Sequence, residues 1–335
     1  MTGKNNPRKI WSVLTWIIIA TLVLSGCGNS KAYRVGILSS NQAFAAIEAG
    51  FKAKMTELGY IENENIVYVI QTTDPGATPE QRQDLLRKLV EDKVDLIFVS
   101  GSPDAVAAKV VTQGTDIPVV FAYGQLEGTN LVNSVREPGG NMTGVRYPGA
   151  EMISKRLSIM LQIVPDAKRV WIGYNKNGPN TATALEALRP TASSLGVTLV
   201  EVPATQMEEL TADLAARAQL SDPGIDAIIT MPDEFNTSTA NFELISKFAA
   251  EHKIPLAGGI GFMANQGALF VNSTNLTNVG ALAAPVADKI LKGAPAGTLP
   301  VITPEQTLVI NYSMAQQLGL NLSESLLKMA DEVIR

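Results

Sequence analysis

The stretch RVGILSSNQ, at positions 34–42 near the beginning of the chain, gives the clearest indication of the fold. Its first five residues form a mostly apolar run, and its last four residues are polar. A short apolar run bounded by polar residues is typical of a buried parallel strand. Similar runs follow along the chain at residues 66–70, 95–99 and 117–121.

Segments with helical periodicity lie between these runs. One covers residues 45–58 and stops at Gly59, a residue type that is common just after helix ends. Another covers residues 79–92, where Leu85, Leu86 and Leu89 form part of one apolar face. Strands that alternate with helices predict an α/β protein with parallel sheets.

The second half of the chain repeats the order of the first half. Residues 169–173, RVWIG, correspond to the first strand, which begins at Arg34. Asp226 corresponds to Asp95, 131 residues earlier, and Pro255 corresponds to Pro118, 137 residues earlier. Chance matches would scatter, so nearly constant offsets indicate two copies of one βαβ unit. We therefore expect two doubly wound, Rossmann-like lobes with parallel sheets, joined by a hinge.

The lobes are expected to exchange chain segments at the hinge. The first lobe should contain residues 33–145 and about 277–306, and the second should contain residues 146–276 and about 307–335. In open α/β sheets, ligands bind beyond the carboxyl ends of the strands. Two such lobes place those ends on either side of one cleft, where we expect the ligand.

The composition excludes several classes of protein. Of the 335 residues, 46% are hydrophobic and 18% are charged, which is typical of a well-packed globular protein. The formal net charge is −5, and no run of Lys and Arg interleaved with aromatic residues interrupts this acidic balance. Nucleic acid is therefore not an expected partner.

The first segment has the layout of an export signal. A basic start is followed by an apolar stretch at residues 10–24, and LSGC at residues 24–27 looks like the signal of a bacterial lipoprotein. We expect a signal peptide at residues 1–26, lipidation of Cys27 and a tether at residues 27–32. The alternative, a permanent membrane helix, needs about 20 apolar residues. The protein should thus be extracytoplasmic and lipid-anchored to the bacterial cell membrane.

Catalytic chemistry has little support in the sequence. The chain has one His, His252, and one Cys, which is assigned to lipid attachment. Acid–base and nucleophilic catalysis usually use one of these side chains. No ligand spacing typical of a metal site is present. We expect no catalytic residue, no metal site and no cofactor.

Several motifs resemble those of a known family. Residues 137–145 read EPGGNMTGV, residues 163–170 read IVPDAKRV, and residues 57–60 read ELGY. With KILKG at 289–293 and AQQLGL at 315–320, the chain from about Tyr33 to Ala330 resembles one family of ABC transporter substrate-binding proteins. That family includes lipoproteins that bind tryptophan and other aromatic amino acids, and it has the type I periplasmic-binding architecture. The chain departs from the pattern at Leu126-Glu127, where many relatives carry Asp-Pro, and at Asn275-Leu276, where they often carry Asp-Tyr.

The resemblance implies a function and a set of partners. It implies an extracytoplasmic solute-binding lipoprotein that captures a small molecule between two closing lobes. The implied ligand is an amino acid with an aromatic or branched side chain, and the implied partners are an ABC permease and its ATPase subunit. We expect a monomer. A surface lipoprotein that senses a ligand for a signalling system shares the fold and stays as the alternative.

Ligand-binding candidates in the first lobe are polar residues that follow strands. They are Ser40, Asn41 and Gln42 after the first strand, and Ser100, Gly101 and Ser102 after the third. The side chains of the first group donate and accept hydrogen bonds without carrying charge. Ser102 can cap a helix that has Pro103 in its first turn, and the free N–H groups of that turn favour an anion. A polar loop or a helix cap explains these residues equally well.

Candidates in the second lobe also follow strands. Asp233 matches an acidic position common in the family and can pair with a ligand ammonium, although acids also stabilise helix N-termini. Gly259 and Asn275 complete the polar set. Tyr174, together with Tyr123 of the first lobe and with Phe44 and Phe262, can enclose an aromatic or apolar ligand, unless these rings belong to the core.

Overall fold

The computed structural model describes residues 32–39, 44–74, 77–178 and 180–335. Cys27, the segment predicted as a signal peptide and the candidates Ser40, Asn41 and Gln42 lie outside these ranges. The described residues form two α/β lobes, each built around a sheet of mostly parallel strands. The predicted fold class is thereby confirmed.

The first sheet consists of five strands: β1 (Tyr33–Ser39), β2 (Ile66–Thr72), β3 (Leu96–Ser100), β4 (Val119–Gly124) and β5 (Met142–Arg146). Their order across the sheet is β2-β1-β3-β4-β5, and all neighbouring strands run parallel. Three helices connect them: α1 (Ala45–Glu57), α2 (Pro79–Glu91) and α3 (Ser102–Thr112). Helix α2 begins where the sequence favours it, because Thr78 and Gln81 form a capping box ahead of Pro79.

The second sheet consists of seven strands: β6 (Arg169–Asn175), β7 (Thr198–Ala204), β8 (Ala227–Ile229), β9 (Leu256–Gly258), β10 (Phe270–Thr274), β11 (Gln306–Asn311) and β12 (Glu332–Ile334). Their order is β12-β11-β10-β9-β8-β6-β7, and only the pair β10–β11 is antiparallel. The helices after β5 are α4 (Gly149–Ile163), α5 (Thr181–Ser194), α6 (Met207–Ala218), α7 (Glu234–Thr237), α8 (Thr239–Glu251), α9 (Leu276–Leu291), α10 (Tyr312–Gln317) and α11 (Glu324–Met329). Short 3₁₀ helices occupy Gly261–Gln266 and Ala296–Thr298.

The internal repeat is visible in the strand order. Strands β1 to β5 and β6 to β10 are arranged in the same sequence across their sheets, as 2-1-3-4-5 and 7-6-8-9-10. Equivalent strands begin 128 to 137 residues apart. The repeat predicted from the sequence offsets is therefore present, and strands β11 and β12 extend only the second copy.

Helix α9 packs against the first lobe although it follows a strand of the second sheet. It crosses α1 so closely that a Cβ on Gly280 would lie 1.9 Å from the backbone oxygen of Ile47. A Cβ on Gly50 would likewise lie 2.0 Å from the backbone oxygen of Thr277. Only glycine fits at these two positions. The chain thus crosses between the lobes after β5, after β10 and again before β11.

Apolar residues are buried on both faces of each sheet. In the first lobe, Phe51 of α1 stacks on Phe98 of β3 with ring centroids 4.0 Å apart. In the second lobe, Trp171 is fully buried, and its indole nitrogen donates a hydrogen bond to Asp213 at 2.8 Å. Strands covered on both faces require the continuous apolar runs seen in the sequence. Among the described helices, none is long and apolar enough to cross a membrane.

Candidate functional site

A cavity of about 950 Å³ lies between the two lobes. It is located at the carboxyl ends of β4, β9 and β10, where open α/β sheets bind ligands. Its volume is in the range of small-molecule sites. Its aromatic side chains are Phe44, Tyr123 and Phe262, its hydroxyl groups include Ser273, Thr274 and Thr307, and its acids are Glu234, Asp331 and Glu332. We refer to this cavity as the cleft.

Tyr123 connects the two walls of the cleft. Its phenol oxygen accepts a hydrogen bond from the hydroxyl of Thr274, in the opposite lobe, at 3.0 Å. Its ring centroid lies 6.0 Å from that of Phe44 and 4.6 Å from that of Tyr147. The backbone of Tyr123 has a φ of 64°, which is uncommon for a residue with a side chain, and β4 shifts its register at this point. The irregularity turns the ring out of the sheet and into the cleft.

The turn from β3 into α3 supports the aromatic wall. Gly101 has a φ of 87°, and a Cβ on it would lie 2.7 Å from the ring of Phe44. Gly101 is also the N-cap residue of α3 and offers no side chain for capping. The hydroxyl of Ser102 accepts a hydrogen bond from the backbone N–H of Gln125 at 3.0 Å. The expectation that Ser102 caps this helix was wrong, because Ser102 is already helical and its hydroxyl joins α3 to the end of β4.

Asp233 is buried and caps α7. One carboxylate oxygen accepts hydrogen bonds from the backbone N–H groups of Phe235 and Asn236 and from the Asn236 side chain, at 2.9–3.2 Å. The other oxygen accepts from the backbone N–H of Asn175 at 3.1 Å. Burial raises the pKa of Asp233 to about 6, although these hydrogen bonds lower it. Asp233 does not line the cleft.

Glu234, the next residue, does line the cleft. Its side chain is exposed, and it accepts a hydrogen bond from the side-chain amide of Asn175. Asp331 and Glu332 lie in the same lining, whereas none of the described lining residues is Lys, Arg or His. The walls of the cleft are therefore acidic.

The chain matches a known protein family over most of its length. Residues 34–334 match the family described as ABC transporter substrate binding protein. The chain belongs to this family. A tyrosine-binding protein of Clostridioides difficile (strain R20291) is 25% identical over 332 residues, which cover 93% of each chain.

Solved structures show the same two-lobed fold. An ABC domain from Streptococcus pneumonia in complex with L-Trp has a TM-score of 0.75 and 24% identity, covering 91% of this chain and all of its own. A ligand-free, open substrate-binding protein with adhesive properties from Clostridium difficile has a TM-score of 0.72 and 25% identity, covering 90% of this chain and 99% of its own. The protein is thus an extracytoplasmic substrate-binding protein rather than an enzyme. Its family implies a small-molecule ligand and a permease and ATPase as partners.

The sequence candidates of this substrate-binding protein occupy different places. Those that line the cleft are Tyr123, Gly259 and Asn275, and Asn275 also caps α9 through the backbone N–H of Asn278. Those that lie outside the lining are Ser100, Gly101, Ser102, Tyr174 and Asp233. Tyr174 belongs to the core of the second lobe, where its hydroxyl donates to Glu201 at 2.8 Å. The structure therefore brings together only part of the predicted set.

Arg156 is a charged residue near the cleft that was not predicted from the sequence. Only 3% of it is exposed, and its guanidinium donates hydrogen bonds to the backbone oxygens of Thr230 at 2.7 Å and Asn272 at 3.0 Å. Burial lowers the pKa of Arg156. The sequence does contain a pattern that indicates its burial, because Arg156 lies on the apolar face of α4, between Ile153 and Met160 at helical spacing.

Proposed function

We propose that this protein is the substrate-binding lipoprotein of an ABC importer and that its ligand is an amino acid with an aromatic or branched side chain. The observation that carries the proposal is the combination of aromatic rings and an exposed carboxylate, Glu234, in one cleft between two lobes. Rings accommodate an apolar side chain, and a carboxylate pairs with an ammonium group. An α-amino acid carries both groups.

The apolar part of the ligand is proposed to lie between the rings of the two lobes. Phe44 and Tyr123 lie on the first-lobe wall, and Phe262 lies on the second-lobe wall. Aromatic groups interact favourably in edge-to-face or offset arrangements at centroid distances of about 4.5–7 Å. The relative from Clostridioides difficile is named a tyrosine-binding protein, and the similar Streptococcus structure contains L-Trp. Both names support an aromatic ligand.

Glu234 is proposed as the partner of the ligand ammonium. It lines the cleft, whereas the oxygens of Asp233 are occupied by the N–H groups of α7 and of Asn175. An anion contact at the N-terminal turn of α3 stays a prediction, because Gly101 and Ser102 are not in the cleft lining. Direct contacts of Asp233 and of residues 40–42 with the ligand stay predictions.

Closure of the lobes is the proposed mechanism of capture. A ligand can shift the equilibrium towards the closed form only if it binds that form more tightly, so it has to contact both lobes. The cleft offers contacts from both lobes, since Tyr123 and Thr274 face each other across it. The permease would then recognise the closed shape. Lipidation of Cys27, which keeps the receptor at the membrane, and the monomeric state belong to the same proposal.

Uptake by cells tests the proposal. A strain that lacks this protein should lose most of its high-affinity uptake of labelled L-tyrosine or L-tryptophan, and the full-length gene should restore it. A control with labelled ribose should show no change. Normal uptake, combined with a lost transcriptional response to the amino acid, would replace import with sensing.

A further inference from the structure

Arg156 carries a buried positive charge that no acidic side chain neutralises. Every Asp and Glu of the chain lies within the described ranges, and none of them forms an ion pair with Arg156. Its hydrogen bonds are to two backbone oxygens, and its Nε is buried without a partner among the described residues. Buried charges in proteins are normally paired, because an unpaired charge loses its hydration without compensation.

We call Gly259 and the end of β10 the floor of the cleft, and the guanidinium of Arg156 lies behind this floor. A Cβ on Gly259, which lines the cleft, would be 2.8 Å from Nη2 of Arg156. Gly259 has no side chain, and this leaves room for the guanidinium close to its backbone. Asn272, whose carbonyl accepts from Arg156, is followed in β10 by Ser273 and Thr274 of the lining.

The charges around the cleft are therefore separated. The acids Glu234, Asp331 and Glu332 form its walls, and the cation lies behind its floor. A carboxylate that entered a cleft with acidic walls alone would be repelled. A buried cation is screened much less than an exposed one and acts over several ångströms. The arrangement matches a ligand that carries an ammonium at one end and a carboxylate at the other.

We propose that Arg156 is the specificity-determining charge of this site and that it selects ligands which carry a carboxylate. The inference rests on the proposed amino-acid ligand and adds the group that recognises its acidic end. Arg156 acts across Gly259, so replacement of its charge should change the discrimination between ligands more than the general affinity.

A pair of ligands that differ only in the carboxylate provides the test. Calorimetric titration of the full-length protein in mild detergent would compare L-tyrosine with L-tyrosinamide, and L-tryptophan with its amide. The amides keep the ammonium and the ring. The wild type should prefer each acid by about tenfold or more. Arg156→Gln should reduce this ratio to nearly one, Arg156→Lys should keep a clear preference, and Arg189→Gln, a control on α5 that is paired with Glu201, should behave as the wild type.

The outcomes separate this inference from the proposed function. If Arg156→Gln weakens the binding of acid and amide equally, the ratio of their affinities stays unchanged. Arg156 would then only hold the floor in position, and the inference would be overturned. If Arg156→Gln does not fold, as judged by circular dichroism, the wild type and Arg156→Lys decide, and a wild-type ratio near one overturns it. Failure of the wild type to bind either compound would overturn the proposed ligand class as well.

Discussion

Asp233 and Glu234 are neighbours in the sequence, but their carboxylates have different surroundings. Asp233 is turned inward and accepts hydrogen bonds from α7 and from Asn175, whereas Glu234 is exposed in the cleft. The sequence pattern indicates Asp233 rather than Glu234, because helix position and family resemblance locate an acidic ligand contact only to within a residue. Which of two adjacent side chains faces the ligand depends on the turn between β8 and α7, and composition does not determine that turn.

The exposed carboxylate should contribute directly to affinity. Glu234→Gln removes the charge but keeps the size of the side chain, so we expect L-tyrosine or L-tryptophan to bind about tenfold more weakly, a loss of about 1.4 kcal/mol. Calorimetric titration would measure the change. Glu243→Gln, an exposed change on α8 away from the cleft lining, is the matched control. Equal affinity of Glu234→Gln and the wild type would remove Glu234 from the site.

The buried carboxylate should be visible in the pH dependence of stability. The pKa of Asp233 is about 6 in the folded protein, above its ordinary value of 3.8. The folded state therefore holds this proton more tightly, and the stabilisation that results is complete below pH 3.8 and is lost as the pH rises through about 6. Urea unfolding between pH 4 and pH 7 should show a steeper decline with rising pH for the wild type than for Asp233→Asn. Parallel curves would contradict the raised pKa.

The elements of this protein differ in how far the sequence predicts them. Strands β1, β3 and β4 are buried apolar runs and were predicted, because burial on both faces leaves a continuous pattern. Strands β5 and β10 were not predicted, since Thr143 and Asn272 interrupt their apolar character. Both polar residues are fully buried, and the hydroxyl of Thr143 donates to the backbone oxygen of Leu299, 156 residues later in the chain. A hydrogen-bond partner so far along the chain leaves no pattern in the sequence around the strand.

The crossing of α1 and α9 should be sensitive to a single methyl group. A Cβ on Gly280 would overlap the backbone oxygen of Ile47, so Gly280→Ala has to push the two helices apart. Overpacking of this kind costs about 1–3 kcal/mol. Urea unfolding would measure the loss, and Gly261→Ala is a suitable control because its Cβ would meet no atom within 4 Å. An unchanged free energy of unfolding for Gly280→Ala would contradict the close crossing.

At the scale of the whole molecule, duplication of one unit explains both the fold and the place of the site. Two sheets with the same strand order turn their carboxyl ends towards one cleft, and the repeat was readable from offsets between Asp95 and Asp226 and between Pro118 and Pro255. The position of the cleft could thus be predicted, whereas its contacts could not. Arg156, for example, donates hydrogen bonds from the middle of α4 to the backbone of Thr230 and Asn272, and a search for polar residues at strand ends does not find a residue inside a helix.

The proposed lipid anchor makes a separate prediction for the whole molecule. Cys27→Ser removes the only thiol that can carry lipid. Burial of acyl chains in the bilayer contributes about 0.8 kcal/mol per CH₂ group, so loss of the lipid should weaken membrane attachment strongly. Fractionation of cells should find less of the variant with the membranes than of the wild type. An unchanged membrane fraction would contradict anchoring through Cys27.

Thermal unfolding of the full-length protein against a panel of amino acids, sugars, nucleosides and short peptides would show which class of ligand the cleft binds. A ligand present at 100 times its dissociation constant adds about 2.7 kcal/mol to the stability of the folded state, enough to raise the melting temperature by several degrees. We expect amino acids with aromatic or branched side chains to raise the melting temperature, and we expect sugars and nucleosides to leave it unchanged. A shift with an uncharged sugar and with no amino acid would contradict the amino-acid site, including the roles of Glu234 and Arg156.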